Sequence, residues 1–172
     1  MAISLYDATV ATFLQELGAV EGFLARGFDH CRDNNINPED IVETRVYQDM
    51  FPFRFQVTST VLHSLGAIEA CRKGVFSPAG PGDLDYAGLQ KHVADARAAL
   101  SKVSPEEVNG FHGRDTTFQF RDRSIPFTAE NFLLTFSIPN FFFHASMAYG
   151  ILRSKGVPLG KRDFMGQMRI KT

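Results

Sequence analysis

Between Glu130 and Arg153 the chain carries no charged side chain, and this run limits the fold more than any other feature. A membrane-spanning helix needs about 20 predominantly apolar residues, so length alone would admit one. The run also contains Thr135, Ser137, Pro139, Asn140, His144, Ser146 and Gly150, groups that hydrocarbon penalises unless a partner helix covers them. Phe132, Phe136, Asn140, His144 (with Phe143), Met147 and Ile151 recur at steps of three and four, which is one face of an α-helix. The spacing predicts a helix buried in a soluble bundle, with Asn140 and His144 on its inward stripe. Thr128 caps its start, Pro139 bends it by removing a backbone bond, and Gly156 and Pro158 end it.

Three more long helices are read upstream. Val10, Phe13, Leu14, Leu17, Val20, Leu24 and Phe28 mark one from Leu5 to about Asn34. Asn37 then caps a short helix that begins at Pro38. Pro52 opens the second, which runs to about Lys73. Its greasy side is Phe55, Val61, Leu62, Leu65 and Ile68, beside a small, polar stripe of Gln56, Ser59, Thr60, His63, Gly66, Ala67 and Ala70. Ser77-Pro78-Ala79-Gly80-Pro81-Gly82 reads as a loop. Leu89, Val93, Ala96 and Leu100 give the third helix, from about Tyr86 to Leu100, and Ser104-Pro105 caps a further turn. Thr116–Phe120 and Ser124–Phe127 flank Arg121-Asp122-Arg123 and switch to strand-like patterning. The expected class is all-α, a four-helix bundle with a small β-hairpin before the last long helix.

At 172 residues one domain over 1–172 is expected. The formal net charge of −1 and the lack of a basic recognition helix argue against nucleic acid or anionic lipid as a partner. Cys31 and Cys71 are isolated, so neither a disulfide framework nor a structural zinc site is indicated, and the usage suits a reducing, cytoplasmic setting. Met1–Asp7 has neither the cationic nor the apolar region of a signal peptide. Phe occurs 17 times and Trp is absent. A phenylalanine interior supplies few polar groups, so those inside it need a reason.

Three positions converge. His63 lies on the small polar stripe of the second long helix, and Asn140 and His144 stack on one face of the fourth. Facing helices of a bundle build ligand and metal sites from such side chains. Two imidazoles and a third ligand could hold a divalent first-row ion such as zinc or nickel; unliganded, they are ordinary groove histidines. Arg45 and Asp49, with Gln56 one turn into the helix, either form an anchoring ion pair or line the mouth of the groove. Tyr149 either packs or donates its hydroxyl into the groove. His30, His92 and His112 read as solvated and Cys71 as packing. No Walker loop, GxGxxG, HExxH or GxSxG is present.

Four stretches resemble the family called domain of unknown function 1993: Ser4-Leu5-Tyr6-Asp7-Ala8, Asp49-Met50-Phe51-Pro52, Pro139-Asn140-Phe141-Phe142-Phe143-His144, and Gly156 through Phe164. That family is similar to the DinB/YfiT-like superfamily of four-helix bundles. The resemblance implies an up-down-down-up bundle with a long crossover, a homodimer, and a divalent metal held by three histidines, one on the second helix and two on the fourth. Some superfamily members are thiol-dependent transferases. Carried onto this chain, the ligands fall on His63, Asn140 and His144, and Asn140 is a departure. The resemblance therefore implies an interior site with a degenerate metal centre. Two functional expectations follow. One is an enzyme acting on a small molecule in the inter-helix groove, with His144 and His63 catalytic and Asn140, Gln56, Asp49, Arg45 and Tyr149 binding substrate. The other is a metal-free carrier of a small ligand.

Overall fold

The computed structural model describes residues 3–78, 80 and 82–171; Met1, Ala2, Ala79 and Pro81 of the segments read above lie outside them. The chain begins with α1 (Leu5–Ala8), capped by the Ser4 hydroxyl on the Asp7 amide at 3.0 Å. The expected single helix from Leu5 is interrupted at Thr9, whose φ of −114° and ψ of −80° are not helical. Then follow α2 (Val10–Asp33) and α3 (Pro38–Val42), the latter capped by Asn37 on the Glu39 amide. The second long helix comprises α4 (Phe53–Val61), a π-helical turn over Leu62–Gly66, and α5 (Ala67–Lys73).

Gly74, in the left-handed region at φ 76°, turns the chain into strand β1 (Val75–Phe76). Next come α6 (Tyr86–Leu100), α7 (Pro105–Asn109), and strands β2 (Asp115–Phe120) and β3 (Arg123–Thr128). The fourth long helix is α8 (Ala129–Asn131), a π-turn over Phe132–Ser137, and α9 (Ile138–Ser154); α10 (Lys161–Met165) ends the chain's helices. No helix among the described residues is long and apolar enough to cross a membrane.

Contacts between named residues fix the helix directions. Tyr86 donates its hydroxyl to Leu24 O at 2.9 Å and Arg97 pairs with Glu21 at 2.7 Å, so α6 runs opposite to α2. The ring of Phe13 meets Phe141 at 4.8 Å and that of Phe23 meets Tyr149 at 6.2 Å, so α2 and α9 run together. Gln56 touches His144 and His63 touches Phe136, so α4 opposes α9. The order is up, down, down, up. Apolar side chains from all four long helices form the core, with Phe13, Leu17, Phe53, Ile68, Leu89, Phe132 and Phe141 fully buried.

The all-α class is corrected by the sheet. β2 and β3 pair antiparallel, with Phe118 opposite Ile125, and β1 adds a third, parallel strand through Val75–Thr117 and Phe76–Phe118. The protein is therefore a helical bundle with a three-stranded mixed sheet. β1 is two residues long, too short to show the alternation that betrays a strand.

Each π-turn has a local cause. In the second helix, Thr60 and Ser64 bond their hydroxyls back to Gln56 O and Thr60 O at 2.8 Å each. Such bonds compete with the α-helical ladder. In the fourth, Pro139 has no N–H to give; the bend anticipated there takes the form of a π-turn just ahead of it.

Candidate functional site

The two helices that carry π-turns and the face of the sheet enclose a cavity of about 380 Å3. Phe55, Ser59, Leu62 and His63 come from the second helix, Phe136, Asn140 and His144 from the fourth, and Phe76, Phe118 and Phe120 from the sheet. Phe51, Pro78 and Gly80 complete the wall, and no lining side chain is charged. π-turns recur beside functional sites because one extra residue re-aims the side chains around it. Here one of them carries His63 and the other Phe136.

His63 and His144 meet in this cavity, their ring centres 5.8 Å apart and their planes 13° from parallel. Aromatic edges surround both. Phe76 and Phe136 stand 5.3 and 5.5 Å from the His63 ring, and Phe55 stands edge-on to His144 at 5.6 Å. Burial pushes the His144 imidazole down to about 4; burial, and then the neighbouring His144, push His63 down to about 3. Both rings are therefore neutral at pH 7.

A short hydrogen-bond chain stands behind His144. Gln56 donates its amide nitrogen to Phe51 O at 2.9 Å, and its carbonyl oxygen lies 2.8 Å from Nδ1 of His144. Gln56 is buried and supports His144 from behind rather than lining the cavity. Nδ1 of His63 is sealed from solvent and has no hydrogen-bond partner among the described residues. Asn140 lines the cavity but turns its amide nitrogen back to Phe136 O at 2.8 Å.

The remaining expected residues lie elsewhere. Arg45 is exposed and donates to Met50 O at 2.5 Å, so it ties off its own connector; among the described residues it forms no ion pair with Asp49. Asp49 is exposed, and neither residue lines the cavity. Tyr149 packs its ring between Phe23 and Phe164 and borders a separate hollow with Ser146 and Lys161. The aromatic wall was missed as part of the site: Phe51, Phe55, Phe76, Phe118, Phe120 and Phe136. Phe118 and Phe120 alternate on one strand, a period that aims both at the same side, and the large Phe count was the available signal for an aromatic wall.

Comparison with known proteins agrees with this architecture. The family model described as domain of unknown function (DUF1993) matches residues 5–165. This chain belongs to the DUF1993 family. Among solved structures, a DinB family member protein from Shewanella denitrificans is similar in fold, with a TM-score of 0.80 at 22% identity over 98% of this chain and 95% of that one. A search of curated proteins gave no match.

The three-ligand metal set implied by the resemblance does not fit the DUF1993 residues present. Two imidazoles are in place, but the third position is an amide bonded to its own helix, and an amide is a poor zinc ligand beside histidine or carboxylate. Among the described residues, no three His, Cys, Asp or Glu side chains are grouped to hold one ion.

Proposed function

We propose that this DUF1993 chain binds a small, uncharged, largely apolar molecule in the cavity at His63 and His144, and does so without a metal. The observation that carries this reading is the wall itself: six phenylalanines and no charge around about 380 Å3, a volume within the ordinary range of small-molecule sites. An ionic ligand would lose its hydration there with no counter-charge to replace it. Acid–base catalysis is supported less well. A general base works best with a pKa near the working pH, and both imidazoles are held well below it. The group behind His144 is the Gln56 amide, which carries no negative charge to stabilise an imidazolium.

The chain has no tryptophan, so a fluorescent naphthalene probe is read against a low background. Naphthalene is expected to bind one per chain, equally with and without EDTA, and to lose at least about tenfold in affinity when Asn140→Trp fills the cavity, a change of about 1.4 kcal/mol. Naphthalene binding that ignores Asn140→Trp, or that disappears with EDTA, would refute the reading.

A further inference from the structure

The polar end of the cavity has a defined hydrogen-bonding sense. A backbone carbonyl can only accept, so the Phe51 carbonyl forces Gln56 to present its amide nitrogen there. That leaves the Gln56 carbonyl oxygen facing Nδ1 of His144 at 2.8 Å. An oxygen of that kind also only accepts, so Nδ1 of His144 carries the proton. In a neutral imidazole the other nitrogen is then a bare lone pair. The backbone at Phe51 thus sets the tautomer of a side chain 93 residues further along the chain, and Nε2 of His144 is an acceptor.

His63 has the complementary arrangement. Its Nδ1 is enclosed without a partner among the described residues. An enclosed lone pair is tolerated better than an enclosed N–H, which puts the proton on Nε2 and makes His63 a donor. His63 is only 7% exposed and lines the same cavity as His144. A hydrogen-bonded oxygen stands about 3.9 Å from the centre of an imidazole ring. Two such reaches together exceed the 5.8 Å between the ring centres, so distance allows one oxygen to contact both rings.

We propose that the cavity selects a hydroxyl group on a neutral apolar skeleton, the hydroxyl giving its hydrogen to Nε2 of His144 and accepting one from Nε2 of His63. This rests on the binding reading above and names the class of ligand. Ethers can accept but not donate, carboxylates bring a charge, and hydrocarbons do neither, so all three are disfavoured at the same site. Phenylalanine side chains from three elements then enclose the skeleton.

The test compares 2-naphthol, 2-methoxynaphthalene, naphthalene and 2-naphthoate on the full chain by fluorescence titration, beside 15N imidazole spectra of the free protein. The expected result is 2-naphthol binding about tenfold more tightly than 2-methoxynaphthalene, which is one buried hydrogen bond's worth, with 2-naphthoate weakest. In His144→Phe the affinity ratio of 2-naphthol to 2-methoxynaphthalene should fall to about one. In the spectra His144 should appear with its proton on Nδ1 and His63 with its proton on Nε2. Equal binding of 2-naphthol and 2-methoxynaphthalene, or the opposite tautomer at His144, overturns the hydroxyl inference while naphthalene binding keeps the cavity reading alive. Failure of all four probes overturns both. Should His144→Phe not fold, as judged by circular dichroism, Gln56→Met is used to release the tautomer, and an unchanged ratio in that variant counts equally against the proposal.

Discussion

Burial pushes Glu16 and the His63–His144 pair towards their neutral forms, and each includes an enclosed atom without a partner among the described residues. They differ in what lies next to them. Glu16, 4% exposed, sits on the stripe of α2 between Phe13 and Phe23, whose rings meet Phe141 and Tyr149 of α9. The histidines stand beside open volume, and one is oriented by a hydrogen-bond chain that ends on a backbone carbonyl. Desolvation shifts proton affinity wherever a group is enclosed. A shifted group becomes a candidate site when space adjoins it and its neighbours fix the direction of its hydrogen bonds.

Three variants sharpen this contrast. The largest effect is expected from Phe76→Ala. Phe76 is buried, pairs in β1 and packs on His63, Phe118, Phe132 and Phe136. Its truncation should cost about 4 kcal/mol in urea unfolding and also weaken naphthalene binding. Loss of stability with intact binding would show that this ring is core rather than wall.

Glu16→Gln should act on stability alone. Burial raises the Glu16 carboxyl to about 7 from 4.5, so between those values the unfolded chain has lost a proton that the folded chain retains. Stability from this group therefore falls as pH rises from 4.5 to 7 and is flat above. The glutamine variant should be more stable than the parent by about 2 kcal/mol at pH 8 and equal to it at pH 4. Its naphthalene affinity should not move. A stability gap independent of pH would mean that the carboxyl titrates normally.

His63→Phe should produce a pH effect of opposite sign. The folded imidazole is depressed to about 3 from 6.5, so on acidification the unfolded chain takes up a proton first. The stability contribution is complete above pH 6.5 and declines below it. Relative to the variant, the parent should lose about 2 kcal/mol between pH 6.5 and about pH 5. Parallel curves for parent and variant would place His63 in contact with water.

Much of the bundle was legible because its signals are local. Asn37, Ser104 and Thr128 cap where their side chains suit the role, and α6 spans Tyr86–Leu100 as its apolar spacing requires. The third strand was not legible, because its two residues carry no period, and this is where the all-α class failed. The π-turns were hidden for a related reason: each adds a residue without disturbing the apolar content of the segment. At the site, His63 and His144 could be found from helical spacing and from the family pattern. The part of Gln56 could not, because it depends on which way one amide faces a carbonyl five residues earlier in the chain. Arg45 and Asp49 misled because a charged pair four apart suggests an ion pair, whereas here the Met50 carbonyl satisfies the guanidinium. The family motif from Gly156 to Phe164 proves architectural. Val157 and Leu159 are buried, and Asp163 binds both the Gly160 amide at 2.7 Å and Arg26 of α2 at 2.9 Å.

The π-turn at Leu62–Gly66 lets one helix serve two audiences. Upstream of it, α4 packs against α6 and α9; downstream, α5 packs against β1, β2 and the π-segment of the fourth helix. In genetic terms the device is a single codon. Excising one residue there would restore an even α-helix and rotate all of α5 by about 100°. Ile68 and Cys71, now enclosed, would swing off their present neighbours. An insertion or deletion in this stretch would consequently be read in units of angle rather than of length.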